Sequence, residues 1–567
     1  MGKEAVKKNS KKAVDEEELT VVKTAEQIEK EFKEHSVAEF FKKNKQMLGL
    51  FGKVRTLTTV IHEYVTNSLD ACEEAAILPD IEVKIKQLGE EHLEVTVTDN
   101  GPGLTQESVG KAFGQLLAGT KFHRLVQSRG QQGIGAAGAT MLCQTTTGKP
   151  IKVITGTAKG KPISLEMTID TKNNLPKISD LKQIDKNFRG TAVCAQFKDV
   201  VYRESEQGAL EYIRRTAIAN PHAQITFIDP SGNKTVFKRT SKEIPEPPEE
   251  VKPHPKGVTV DDLLTFSKST DARKISSFLK TAFDRMGDKS IEEIEKKVSF
   301  DLNKDPSKLT WSESEEIIKQ FKAMNFIAPK TDALRPIGEA RIEKSLKSIV
   351  QPEFLNVITR KPTIYRGGFP FQVEVSVAFG GNAGRPSAES IAEGQTGRKI
   401  EVMRFANRAP LLFDGGGCAI TKAVQSVEWK RYGIKDVENA PLTVLVNFIS
   451  VHVPYTSAGK QAIADEDEVL EELRLALMDS GRRVSRYIIG QRKLQEKQMK
   501  REIFLKYIPE IALALSKLTE EKEQLLVKKL EKLVLEKLKL DEQKEAAGEV
   551  VEDEAVEEEE EDAGGEE

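Results

Sequence analysis

The first strong period along the chain is helical. Between residues 55 and 76, Ile61, Val65, Leu69, Cys72 and Ala76 recur three or four apart, which predicts a long amphipathic helix that Pro79 ends. The period then drops to two. Ile81, Val83 and Ile85 alternate with polar residues, as do Leu93, Val95 and Val97, and the polar stretch LGEEH at 88–92 joins them as a predicted β-hairpin. Glycine-rich segments follow at 99–104 (DNGPGL) and 130–138 (GQQGIGAAG), with strand-like runs at 151–157, 163–169 and 191–197. Upstream, residues 25–49 mix charged and apolar positions at helical spacing, with Phe32, Phe40, Phe41 and Leu48 as landmarks, so short helices are expected there.

A run rich in proline and charge at 243–256 (EIPEPPEEVKPHPK) reads as a linker. Beyond it, residues 259–330 carry only helical periods, the mark of a small helical insert. From Thr363 the pattern is mixed: FQVEVSVAF and EVMRFANRAPLLF alternate as strands, CAITKAVQSVEW reads as a helix, and LTVLVNFISVHV as another strand. After Ala464 a helical pattern runs to Leu540, with Pro509 as its one expected interruption. The segments expected are a basic arm (1–24), an antiparallel-sheet and helix domain (25–245), a helical insert (246–330), a second α/β layer (331–500), a helical extension (501–545) and an acidic tail (546–567).

A length of 567 residues is enough for several domains, and 38% hydrophobic, 31% charged and 6% aromatic residues place the chain among globular proteins. The net charge of -3 hides an asymmetry, because residues 549–567 hold twelve acids and no base; without them the rest carries about +9. That tail reads as disordered, and the small basic surplus is compatible with a polyanionic partner. Four cysteines 71, 51 and 224 residues apart form no disulfide framework or zinc signature. No apolar run reaches the roughly 20 residues of a bilayer span, and the N-terminus has no apolar signal core. A cytoplasmic protein is expected.

Two familiar nucleotide motifs fail. Gly133, Gly135 and Gly138 spell GxGxxG, but the residues before them (KFHRLVQSRGQQ) are polar and basic, and the first acid afterwards is Glu166, which does not fit a Rossmann unit. Six Gly-Lys pairs occur and none is followed by Ser or Thr, so there is no P-loop. What remains is a set of weak signals. Glu63, Asn67 and Asp70 lie at i, i+4 and i+7 of the long helix, within about 40° of Glu63 in azimuth, with a rise of about 6 Å from Glu63 to Asn67. Such a face lets an amide oxygen hold a magnesium ion while a carboxylate orients a water beside the same phosphate. The same residues also make an ordinary solvated helix face. Asp99 closes a strand inside DNGPG, where it can accept a hydrogen bond from an exocyclic amine while Gly101 and Gly103 let backbone approach a flat ligand. Asn-Gly is equally a hairpin-turn signal.

In the order acid helix, DNGPG, GQQGIGAAG and Gly190-Thr191, these segments resemble the Bergerat, or GHKL, ATPases, which include gyrase, heat-shock chaperone, histidine kinase and MutL proteins. The resemblance implies an α+β ATPase sandwich in which Glu63 activates water, Asn67 coordinates magnesium and Asp99 reads adenine. It further implies that Gly130, Gln131, Gln132, Gly133, Ile134, Gly135, Ala136 and Ala137 form a lid over the phosphates of ATP. Thr120 and Lys121 fall where the family also touches nucleotide, and Thr191 where it supports the adenine end. Backbone N–H groups of a glycine loop entering a helix make an anion site, which gives the lid a physical basis.

The stretches SVAEFFKKNKQMLG, HEYVTNSLDACEEAAILPDI and GQQGIGAAGATMLCQTTTGKP, over residues 25–500, are similar to the B subunits of the topoisomerase VI family. That narrower resemblance implies an N-terminal strap before Gly49 exchanged between protomers, a helix-two-turns-helix insert, and a transducer domain with a left-handed crossover followed by C-terminal helices. It places a lysine that reaches the γ-phosphate at Lys460 in SAGKQAIADED, with Gln461 assisting. It implies ATP-dependent homodimerisation, double-stranded DNA as substrate, a separate DNA-cutting A subunit in an A2B2 heterotetramer, and a prokaryotic, archaeal, nucleoid-associated setting. AAG after GQQGIG, the long helical end and the acidic tail depart from that pattern. An ATP clamp acting on protein clients is the alternative, and the helical insert argues against it. A histidine kinase using His62 is a further one, but such phosphoacceptors lie on a separate helical hairpin.

Overall fold

A computed structural model describes residues 36–119, 125–130, 133–185, 187–386, 398–457, 459–519 and 521–536. They fall into two compact units. The first takes its residues from Met1–Phe122, Gly130–Ala209 and Thr226–Thr235, the second from His123–Arg129, Leu210–Ile225 and Val236–Glu567.

The first unit begins with α1 (Val37–Lys43), where Ser36 and Glu39 form a capping box, and the 22-residue α2 (Lys53–Glu74). The period-two region becomes β1 (Asp80–Gly89) and β2 (His92–Asp99), followed by α3 (Gln106–Gly114), the short β3 (Leu125–Val126) and α4 (Gly135–Thr147). Then come β4 (Ile151–Gly156), β5 (Ile163–Asp170), β6 (Leu175–Gln183), β7 (Gly190–Lys198), α5 (Ala209–Ala219), β8 (Gln224–Ile228) and β9 (Lys234–Phe237). β3, and α5 from Leu210 on, belong to the second unit. The sheet order is β6-β5-β4-β7-β2-β1-β8-β9.

Sequence alternation positions this sheet. Val83 pairs with Val97 and Ile85 with Val95, so the apolar sets of both strands share one face, where all four are buried. α2, α3 and α4 pack on the sheet and on one another, and each aliphatic side chain removed from water there contributes about 1.5–3 kcal/mol. The Asn-Gly pair after Asp99 does not make a hairpin, because β2 pairs with β1 and β7. Instead the Asn100 side chain accepts from Asp80 N (2.8 Å) and donates to Leu78 O (3.1 Å), joining the end of β2 to the turn before β1. β6 carries no alternation to reveal it, because it is an edge strand exposed along most of both faces.

In the second unit, β10 (Glu250–Val251) pairs with β3. The helical insert holds α6 (Val260–Ser269), α7 (Ile275–Ala282), α8 (Asp288–Glu295) and α9 (Trp311–Ala323), with capping boxes at Thr259 and Thr310. Phe278, Phe283 and Phe321 stack edge-on at its centre. After α10 (Glu339–Ile349) come β11 (Phe354–Thr359), β12 (Thr363–Tyr365), β13 (Phe369–Phe379), β14 (Arg385–Pro386), β15 (Arg398–Lys399), β16 (Glu401–Ala406) and β17 (Ala409–Pro410). α11 (Ala419–Ser426) and β18 (Leu442–Ser450) follow. The main sheet runs β11-β13-β18-β16-β17, with β12 on β13, and β16 lies parallel to β18, so the chain between them is a crossover through β17 and α11.

Two expectations for this unit change. The single strand read over 401–413 is broken after Ala406 by a two-residue turn, Asn407-Arg408, with φ of +48° and +67°. The helix read after Ala464 is α12 (Asp467–Thr519), 53 residues long, and it continues through Pro509. A proline removes one intrahelical N–H bond and crowds the preceding turn, a loss that so long a helix carries without ending.

Candidate functional site

Asp99, the last residue of β2, is buried, and both its carboxylate oxygens are occupied. Oδ1 accepts from the backbone N–H of Gly101 (2.9 Å) and of Thr191 (3.0 Å), and Oδ2 accepts from the Ser68 hydroxyl (2.9 Å). Burial pushes the Asp99 carboxyl above the usual carboxylate range, and these three donors oppose the shift. A fixed carboxylate with an oxygen carrying one donor retains lone-pair capacity for the amine of a flat ligand. The glycines around it let neighbouring backbone pack closely against the carboxylate and the loop. A Cβ on Gly101 would lie 3.0 Å from Asp99 Oδ1, one on Gly103 (φ +73°) 2.2 Å from Gly156 O, and one on Gly190 (φ +121°) 2.0 Å from Asp99 O. Gly103 and Gly190 are therefore glycines both for their backbone conformation and for the close approach.

Two residues here carry no motif that marks them in the sequence. Ser68 sits on the sheet-facing side of α2, three residues after Val65 and four before Cys72, and a polar residue in such a stripe demands a buried partner. That demand was the available signal. Thr155 on β4 accepts from Leu104 N (2.7 Å) and donates to Leu104 O (3.2 Å), which pins the DNGPGL loop to the sheet. Nothing local in the sequence marks it. Cys72, whose thiol burial and the nearby Asp99 push up to about 12, stays protonated beside the loop.

The other end of the site lies along α2 and the start of α4. Glu63 is half-buried, Asp70 is half-buried, and Asn67 is exposed on the same side of the helix. Gly135, the first residue of α4, packs directly on Glu63: a Cβ there would lie 1.7 Å from Glu63 Oε2. Gly133 has a φ of +57°, and Ile134 is the N-cap residue of α4. Gly135, Ala136 and Ala137 are thus the first helical turn rather than loop, with the two alanine side chains buried and only their backbone N–H groups able to serve an anion. Thr120, Lys121, Gln131 and Gln132 lie outside the described residues.

In the second unit, Lys460 is half-buried in a turn at φ +52°, its N–H bonded to Ser457 O (3.1 Å). The turn is closed at its base by the Tyr455–Ile463 bridge and by the Ala419 N–H donating to Ile463 O. Gln461 is buried, and its Oε1 accepts from Leu412 N and Phe413 N, both at 3.2 Å. That side-chain oxygen is committed to holding the turn. Among the described residues no group of three or more His, Cys, Asp or Glu side chains forms a metal cage. Among them, too, no helix is long and apolar enough to cross a membrane.

Residues 52–171 match the family described as histidine kinase-, DNA gyrase B-, and HSP90-like ATPase, and residues 329–500 the family described as topoisomerase VI B subunit, transducer. The chain is 47% identical over 575 residues to the B subunit of type 2 DNA topoisomerase 6 from Pyrococcus abyssi, covering 93% of this chain and 99% of that one. It is 48% identical over 495 residues to its counterpart in Methanothermobacter thermautotrophicus, covering 87% and 93%. The counterpart in Pyrococcus horikoshii is 46% identical over 567 residues, covering 91% and 98%. The ATPase fold around Asp99, the transducer sheet and these identities over nearly the whole length agree: the chain belongs to the family of type 2 DNA topoisomerase 6 B subunits.

Proposed function

We propose that this chain is the ATP-binding and hydrolysing B subunit of a type IIB DNA topoisomerase, an ATP-driven clamp on one DNA duplex while a separate A subunit cuts another. The observation that carries the reading is the buried Asp99 carboxylate, braced by Gly101, Thr191 and Ser68, the last on the same helix whose Glu63 abuts the N-terminus of α4. Asp99 takes the adenine amine. The amides at the start of α4, with Gly130 and Gly133, take the phosphates, assisted in the family pattern by Thr120, Lys121, Gln131 and Gln132.

Glu63 acts as the general base, accepting the proton of the attacking water. The exposed Asn67 amide oxygen suits magnesium, which prefers hard oxygen ligands and keeps phosphates and waters as the rest of its shell; a protein-built cage is not required. When bound there, magnesium offsets phosphate charge. Lys460 is proposed to meet the γ-phosphate only while triphosphate is present, which makes its loss a mechanical signal to the transducer. ATP then drives homodimerisation with exchange of the N-terminal strap, and the working assembly is an A2B2 heterotetramer on double-stranded DNA in an archaeal cytoplasm, relaxing supercoils and separating linked duplexes.

Mixing the chain with its A subunit and supercoiled plasmid, with and without ATP, tests this reading. Relaxation requiring both proteins and ATP is expected. Relaxation by either protein alone, or none with both, contradicts it. The Asp99→Asn variant should lose about 10 to 150-fold in ATP affinity by calorimetry, as expected for a missing charge-assisted hydrogen bond.

A further inference from the structure

The five residues just before the glycine-rich stretch, Leu125–Arg129, belong to the second unit, although the chain on both sides of the neighbouring segment belongs to the first. Their bonds run to that unit. β3 pairs with β10, with Val126 opposite Glu250 and Leu125 opposite Val251. The buried Gln127 side chain behaves like a strand neighbour of Arg335: Nε2 donates to Arg335 O (2.9 Å), and Oε1 accepts from Arg335 N (2.7 Å). Ser128 O accepts from Asn407 Nδ2 (3.1 Å). Arg129 donates to Asn220 Oδ1 (2.5 Å), and Asn220 Nδ2 donates in turn to Arg408 O (3.3 Å).

These bonds converge on the Asn407-Arg408 turn and run on into the transducer sheet. Asn407 also donates to Ser450 O (2.9 Å) and accepts from Ser450 N (3.1 Å), and Arg408 N donates to Asn447 Oδ1 (3.2 Å). Asn447 Nδ2 donates to Glu374 Oε2 (2.8 Å), and Glu374 accepts from Ile337 N (3.0 Å) and Gly338 N (2.6 Å), just past Arg335. Glu374, Asn447, Ser450 and Asn220 are fully buried. A polar network this deep costs stability wherever a member lacks a partner, so it holds one arrangement firmly. The left-handed backbone of Asn407-Arg408 fits a two-residue hairpin and adds conformational strain at Arg408 that the surrounding bonds hold in place.

We propose that Gln127 and Asn407 are positioning residues that fasten the chain entering the phosphate loop to the transducer, so that transducer movement is transmitted to Gly133–Ala137 through the covalent backbone. The inference rests on the assignment of that stretch to phosphate binding. It supplies a coupling route within one chain that is independent of Lys460, because it acts through backbone continuity and needs no nucleotide contact. Neither Gln127 nor Asn407 belongs to the proposed nucleotide-binding set.

Hydrogen exchange on the full chain tests it, comparing wild type with Gln127→Ala and Asn407→Gly, the latter removing the amide while tolerating φ +48°. In both variants, exchange over residues 125–138 without nucleotide should be at least about tenfold faster, since Gln127→Ala removes two hydrogen bonds of a buried side chain and Asn407→Gly three, of which one reaches Ser128. β13, β1 and β2 should exchange as in wild type, and so should β18 except at Ser450, whose N–H loses its acceptor in Asn407→Gly. A non-hydrolysable ATP analogue should slow exchange over 133–138 and around the Asn407-Arg408 turn (405–410) in wild type, and in the variants its effect on 405–410 should be lost. Unchanged exchange over 125–138, or acceleration spread through β13 and β18 as simple loss of packing would give, overturns the proposal. Absence of analogue protection in wild type would remove the phosphate-loop assignment itself, and this inference with it.

Discussion

At one end of the proposed nucleotide site Asp99 is buried and held by three donors; at the other, Glu63 is half-buried and Asn67 exposed along α2. The first end is complete before any ligand arrives. Its carboxylate has been desolvated and oriented during folding, so recognition there needs little further ordering. The second end keeps its groups partly in water, where a water and a metal ion can enter and leave. That difference suits the proposed roles: a base at Glu63 would have to exchange protons with solvent in every cycle, whereas an adenine acceptor at Asp99 would only have to stay in place.

The sharpest way to separate the two ends is Glu63→Ala. Hydrolysis should fall by about 10² to 10⁴, the range for a lost general base, while ATP binding by calorimetry stays near wild type. Hydrolysis at the wild-type rate would take Glu63 out of the mechanism. Gly135→Ala makes a subtler break at the same end, because the new methyl would occupy the place of the Glu63 carboxylate, which must swing aside. A displacement of that order costs up to about 10² in turnover, and alanine suits a first helical turn, so the melting temperature should not drop. Normal turnover in this variant would show that the carboxylate has room to work elsewhere.

At the recognition end, Ser68→Ala removes one of three donors to Asp99 and should weaken ATP binding about 5 to 30-fold. The sign of its pH dependence follows from the same bond. Burial already raises the Asp99 pKa, and losing a donor that lowers it raises it further, so the acid-side loss of binding should begin at higher pH in the variant. Calorimetric titrations at several pH values check this; identical pH profiles would exclude Ser68 as a tuning group.

The smallest effect lies away from the site, in the helical insert. His254 Nε2 lies 3.1 Å from Ile327 O, its Nδ1 accepts from Lys256 N, and burial lowers its pKa below the usual 6.5. A base with a depressed folded pKa stabilises the fold above the unfolded pKa, so stability should fall as pH drops below about 6.5. His254→Gln should flatten that part of the melting curve against pH, and an unchanged slope would rule the histidine out as its source.

Much of the first unit was legible because its signals are local. The α2 stripe and the β1 and β2 alternation each follow from one periodicity, and Glu63, Asn67 and Asp99 follow from short spacings within them. Ser68 was legible only as an unexplained polar residue in an apolar stripe. Edge strand β6 had no signal, since exposure on both faces erases alternation. β13 alternates apolar and polar residues in sequence, yet it is buried along nearly its whole length, as is β18, so the alternation there does not mark a solvent face and the polar Glu374 and Asn447 have no visible reason until the network around them is seen.

The order of residues is enough to set the periodic elements, such as α2, β1 and β2, the glycine-rich segments and the family, because helical and strand periods and motif spacings are properties of near neighbours in the chain. It takes the folded arrangement to set Gly135 on Glu63 and to brace Asp99 with Ser68 and Thr191. The same holds for Gln127 and Ser128, tied to Arg335 and Asn407 more than 200 positions away. Those pairings depend on how strands and helices from distant segments stack, and no local pattern records which buried polar group will meet which partner.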